Sequence, residues 1–263
     1  MAKRTCHLSS MSTFPTPQTY ALCSSPRSGT TLLCNMLRQT GVAGAPDSFF
    51  REKSFDDWCA AWDVPRPLDV NDPVACRTYV QKLIEAGRGK GGLFGMRIMG
   101  PDINMLRHIL TKLYSAISDH DLIEAAFGPT RYIHLSRLDK VAEAVSYLRA
   151  EQTGLWHGDP AGNDIERIAP SETDGYDAAR IAARVQMLGG YDAGWRTWFQ
   201  REGITPLFLT YEGLSDDPLG TLRKVLTFLD QDPHVVQHVT PGTRKLADDT
   251  SQAWITRFKA AQS

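Results

Sequence analysis

Ser24-Ser25-Pro26-Arg27-Ser28-Gly29-Thr30-Thr31 lies between a short apolar run, Thr19 to Cys23, and a stretch with helical spacing from Thr30 to Gln39. The order predicts strand, loop, helix. Such a turn aims backbone N–H groups and a helix N-terminus at one point, where an anion is favoured. Gly29 allows close backbone approach, and the hydroxyls of Ser25, Ser28, Thr30 and Thr31 add donors. A nucleotide triphosphatase loop would place Lys directly after its last glycine, but that slot is Thr30. Positive charge must come from Arg27, and no strand ends in an evident acidic metal ligand.

Outward from this loop, Gly41 and Gly44 break the helix, and Pro46 to Phe50 continues as a loop expected near the first strand's end. Helices are predicted over Phe55 to Trp62, Asp72 to Ala86, Ile103 to Tyr114, Asp139 to Glu151, Tyr176 to Arg201 and Pro218 to Leu229. Further strands are predicted over Leu93 to Met99, Arg131 to Ser136 and Pro206 to Tyr211. The alternation implies an α/β fold, a central parallel sheet flanked by helices, with its ligand site beyond the strands' carboxyl ends. Trp156 to Gly175, rich in Gly, Pro, Asp and Ser, reads as a long surface loop able to act as a mobile lid.

The 263 residues, 42% apolar and 22% charged, read as one domain over residues 19–263 behind a loosely held leader, residues 1–18. A net charge of -1 gives no electrostatic reason to expect a nucleic-acid partner, so an anionic ligand must be met locally. No apolar run approaches the length of a membrane span or signal sequence, and the five cysteines form no CxxC pair. Both features suit a cytoplasmic protein with reduced thiols. Gly87 to Gly92 follows a helix and precedes a strand, the reverse of a nucleotide loop. His234 and His238 lack a third ligand, so no metal site is expected there. Trp195, Trp198 and Phe199 at helical spacing read as core.

The loop S-P-R-S-G-T-T-L-L followed by T-G-V-A-G-x-P resembles the Stf0 sulfotransferases, a bacterial family whose best-known reaction sulfates trehalose at its 2-position. The resemblance continues through Phe94 to Met99, Arg137-x-Asp139 with Ala144-Val145-Ser146, and Arg149-x-x-Gln152-Thr153-x-x-Trp156. Gly194-Trp195-Arg196-x-Trp198-Phe199, Tyr211, Ala247-Asp248, Trp254 and Arg257-Phe258 extend it over most of the chain. It implies a P-loop-type fold and a homodimer. It also implies transfer of a sulfuryl group from 3'-phosphoadenosine 5'-phosphosulfate (PAPS) to a carbohydrate or glycolipid hydroxyl, leaving 3'-phosphoadenosine 5'-phosphate. An arginine and oriented N–H donors can stabilise the departing phosphate without a metal.

By the same resemblance, Ser25, Pro26, Arg27, Ser28, Gly29, Thr30 and Thr31 hold the 5'-phosphosulfate, Arg137 and Ser146 the 3'-phosphate, and Lys245 closes the nucleotide site. Arg97 stands where the family often has Lys. The family's proton-accepting glutamate falls at Ser48, which is no useful base at neutral pH; a shifted loop would put Asp47 or Glu52 there instead. Two other readings remain open: a nucleotide-binding homologue with weak or altered activity because of Ser48, and a small-molecule kinase of the P-loop type.

Overall fold

In the computed structural model, residues 19–89, 92–158, 164–167, 169, 175–242 and 248–262 are described. Its centre is a four-stranded sheet in the order β2 (Phe94–Met99), β1 (Thr19–Ser24), β3 (Thr130–Ser136), β6 (Leu207–Thr210), with every neighbouring pair parallel. All six residues of β1 are buried, as expected of a strand covered on both faces. Its side chains alternate between two cores. Tyr20 and Leu22 pack with Leu33 and Leu37 of α1 (Thr30–Gln39), whereas Ala21 and Cys23 pack with Phe94, Met96 and Ile98 of β2.

The core of Ala21 and Cys23 also takes in α2 (Phe55–Ala61), α3 (Pro73–Arg88), α4 (Asp102–Leu110) and α5 (Asp119–Phe127). Asp72 caps α3 as expected, accepting from the amides of Val74 and Ala75. A third cluster joins α6 (Lys140–Thr153), α7 (Ala178–Arg201) and the C-terminal helix through Val145, Leu188, Trp254 and Phe258. Trp195, Trp198 and Phe199 of α7 are buried against the sheet, as core.

Three stretches differ from the sequence reading. β4 (Leu155–Gly158) and β5 (Asp164–Arg167) form an antiparallel pair within the stretch read as loop, each only four residues long and therefore weakly patterned. Residues 159–163 and 170–174, on which the lid expectation rests, lie outside the described residues, as does the 1–18 leader. α5 went unread because its nine residues carry barely one apolar face; Ser118 starts it by accepting the amide of Asp121. Beyond β6, α8 (Tyr211–Asp216) and α9 (Pro218–Phe228) are followed by α10 (Asp249–Ala260), which also went unread.

The link from α1 toward residue 50 is held by Gly44, whose φ of +70° lies in the left-handed region. A Cβ there would sit 2.2 Å from the Leu93 carbonyl oxygen and 2.6 Å from that of Gly87. Gly44→Ala should therefore lower the unfolding free energy by more than about 1 kcal/mol in urea titration.

Candidate functional site

The loop between β1 and α1 is fixed from several sides. The Ser24 carbonyl accepts the Gly100 amide at 3.0 Å and the Trp195 indole Nε1–H at 3.0 Å, pinning the end of β1. Ser24 Oγ lies 2.5 Å from the Leu135 carbonyl oxygen, and Ser28 Oγ donates to the Ser25 carbonyl at 2.7 Å. Ser25 and Ser28 are fully buried, so their hydroxyls shape the loop from within. Gly29, at φ +90°, opens α1 with no side-chain cap, and no acidic residue lies in the first turn. That leaves the helix N-terminus to backbone N–H groups, an arrangement that favours an anion. A Cβ on Gly29 would meet the Tyr211 ring at 2.7 Å.

Arg27 takes φ +68°, rare for a side-chain-bearing residue, which turns it toward α6. Its Nε donates to Ser146 Oγ at 3.1 Å, and Nη1 donates to the Trp156 carbonyl. Arg137, just past β3, reaches the same loop: Nη1 lies 3.5 Å from the Arg27 carbonyl oxygen, and the guanidinium stacks 4.3 Å over Tyr211. Among the described residues, its buried Nε has no hydrogen-bond partner. Arg27 thus meets both Ser146 and Arg137. Pro26 is half-buried in the turn, and Thr30 is buried at the start of α1. Lys245 lies outside the described residues.

Behind the loop runs a charge network with no counterpart in the sequence reading. Ser25 Oγ donates to Glu143 Oε1 at 2.5 Å, and Lys140 donates to Glu143 Oε2 at 2.7 Å and reaches Asp192 at 3.2 Å. Asp192 also accepts from Ser136 at 2.5 Å and Arg196 at 3.1 Å, with His134 Nε2 at 3.2 Å. Burial pushes the Glu143 carboxyl up against the pull of Lys140 and Ser25. Burial would raise Asp192 too, but the hydrogen bonds from His134 and Ser136 and the Lys140 charge bring it down to about 2. The one signal available was an acidic residue at i+3 from Lys140, which reads equally well as an exposed pair.

On the opposite side of the loop, Arg97 of β2 donates from Nη1 to Thr31 Oγ1 at 3.1 Å and from Nε to Ser48 Oγ at 2.8 Å. Asp47 lies beside it, with Oδ1 3.4 Å from Arg97 and Oδ2 3.2 Å from Arg38. Its main-chain carbonyl accepts the Arg97 amide at 2.9 Å, so this segment runs along the outer edge of β2. Ser48 is buried, whereas Glu52 is exposed in a short 3-10 turn. Asp47 and Ser48 therefore meet Thr31 through Arg97, and Glu52 stands apart from that contact.

Among the described residues, no three His, Cys, Asp or Glu side chains are grouped to hold a metal, and no helix is long and apolar enough to cross a membrane. Cys23, Cys34, Cys59 and Cys76 are free and buried.

The depressed carboxyl of Asp192 stabilises the fold above the ordinary carboxylate range, and that contribution disappears as pH falls through about 2. It amounts to about 2 kcal/mol. In urea unfolding, wild type should lose this much between pH 4 and acid below 2, and Asp192→Asn should flatten that part of the profile.

The profile of a family described as Stf0 sulphotransferase matches residues 19–261. A trehalose 2-sulfotransferase of Mycobacterium tuberculosis is 30% identical over 262 residues, covering 92% of this chain and 94% of that protein. One from Mycolicibacterium smegmatis is 32% identical over 269 residues, covering 92% and 95%. A crystal structure of a sulfotransferase from Alicyclobacillus acidocaldarius aligns over 93% of this chain and 92% of its own, at 13% identity and a TM-score of 0.46.

Proposed function

The chain belongs to the Stf0 sulphotransferase family, and from that premise we propose that it transfers a sulfuryl group from PAPS to a carbohydrate or glycolipid hydroxyl. The observation that carries the donor assignment is the convergence of Arg27, Arg137 and Ser146 on one glycine-opened loop, with Arg137 Nε buried and unpartnered among the described residues. A donor with two phosphates needs two anion sites. The uncapped N-terminus of α1 with Arg27 offers one, and Arg137 with Ser146 the other.

In this reading the chain's own groups do electrostatic work. Charge gathers on the phosphate oxygen as sulfur departs, and the loop amides and Arg27 are already aimed there. Arg97, bonded to Thr31, brings a further cation to the acceptor side of the loop. Ser25 serves through its amide, since its hydroxyl is engaged by Glu143, and Lys245 would close over the nucleotide. No residue in this scheme calls for a metal. Two relatives bearing the name trehalose 2-sulfotransferase favour a carbohydrate acceptor over other hydroxyls. A homodimer in the cytoplasm completes the proposal.

Calorimetric titration with 3'-phosphoadenosine 5'-phosphate, AMP and ATP with magnesium tests the donor class. Tight binding of the bisphosphate alone is expected, and preference for ATP would overturn the reading in favour of a kinase. Arg27→Ala should abolish bisphosphate binding. Arg137→Ala should erase the distinction between the bisphosphate and AMP; unchanged selectivity in that variant counts against the donor assignment.

A further inference from the structure

We propose that Asp102, at the start of α4, accepts the proton of the acceptor hydroxyl during transfer, the role that Ser48 cannot fill. The proposal rests on the sulfuryl-transfer reading above and supplies the catalytic group that reading lacks.

The carboxylates around the loop differ in how their oxygens are occupied. Asp47 is committed: Oδ2 meets Arg38 at 3.2 Å, while Oδ1 accepts the Ser48 amide at 2.7 Å and lies 3.4 Å from Arg97. Glu143 is fully buried behind the loop, one oxygen on Ser25 and the other on Lys140. Glu52 is exposed in its 3-10 turn. Asp102 is 8% exposed, and its Oδ2 accepts the Met99 amide at 3.3 Å; no other hydrogen bond to its carboxylate is made by the described residues. The second oxygen is left for a substrate.

Its position suits the task. Met99 is the register partner of Ser24, and the Gly100 amide donates to the Ser24 carbonyl at 3.0 Å. Asp102, bonded to the Met99 amide, thus sits just past the carboxyl end of the strand beside the one that opens the loop. The Arg51 charge acts on both Asp102 and Tyr147 of α6. The Tyr147 ring packs edge-on at 5.2 Å against Trp156, whose carbonyl accepts from Arg27. Asp102 and Arg27 thus follow the carboxyl ends of two neighbouring parallel strands, β2 and β1.

The environment also tunes the carboxyl. Burial pushes it up, while the Met99 amide and the Arg51 and Arg97 charges pull the other way. A carboxylate more basic than usual is suited to accept a proton near neutral pH. In the step itself, the acceptor O–H proton passes to the Asp102 carboxylate as the acceptor oxygen bonds to sulfur. The sulfur–oxygen bond to the 5'-phosphate breaks, and its electron pair remains on the phosphate oxygen facing Arg27. Asp102 then loses the proton to water.

The test measures bisphosphate release from PAPS, with trehalose or with water alone as acceptor, for wild type, Asp102→Asn, Asp102→Glu and Ser48→Glu. Calorimetry with 3'-phosphoadenosine 5'-phosphate accompanies each variant. Asp102→Asn should bind the bisphosphate within about threefold of wild type, yet turn over about 100- to 10,000-fold more slowly. The acid limb of its kcat/KM profile should vanish, and Asp102→Glu should restore part of the rate together with that limb. Asp102→Asn within tenfold of wild type with the limb intact overturns the proposal, as does a folded Asp102→Glu without the limb. A wild type that releases no bisphosphate, or does so only after Ser48→Glu, overturns it as well. Failure of wild type to bind the bisphosphate would instead strike the donor reading.

Discussion

The Ser24 carbonyl, held at 3.0 Å by both the Gly100 amide and the Trp195 indole, sets where β1 stops and the loop begins. One bond comes from the neighbouring strand's end and the other from the long helix across the sheet, so the turn cannot shift without disturbing both. Everything placed by that turn inherits this rigidity: the positive φ of Arg27, the uncapped start of α1 and the close approach of Gly29 to Tyr211. Preorganised donors are worth most where they need not reorganise as charge develops.

Charge in the site is local. The chain as a whole carries -1, yet Arg27, Arg97 and Arg137 gather around a few residues of loop. The compensating carboxylates are kept behind it or to one side. Glu143 and Asp192 lie at the back, bridged by Lys140, and Asp47 stands beside Arg97. Buried charges of this kind persist only when their remaining hydrogen-bonding capacity is met, and Ser25, Ser136 and His134 meet it here. The hydroxyls of Ser24, Ser25 and Ser28 are spent on the loop's own architecture.

Ser48 and Asp47 are both engaged by arginines. A serine bonded to Arg97 keeps the segment seated on β2 without offering a base, and Asp47, next in sequence, has both oxygens turned to arginines.

The sequence by itself determined the strand-loop-helix unit and the parallel alternation. These follow from local periodicity, turn residues and the rule that parallel strands point their carboxyl ends to one side. Short elements such as α5 and the β4–β5 pair escaped because four to nine residues carry too little pattern to be told from loop. Only the tertiary structure decided which charges meet. Ser25 and Glu143 are 118 positions apart and Arg97 and Ser48 are 49 apart, distances over which residue type and spacing hold no record of contact. Whether a given Asp or Glu is paired, buried or open to a substrate depends on what the folded chain brings beside it.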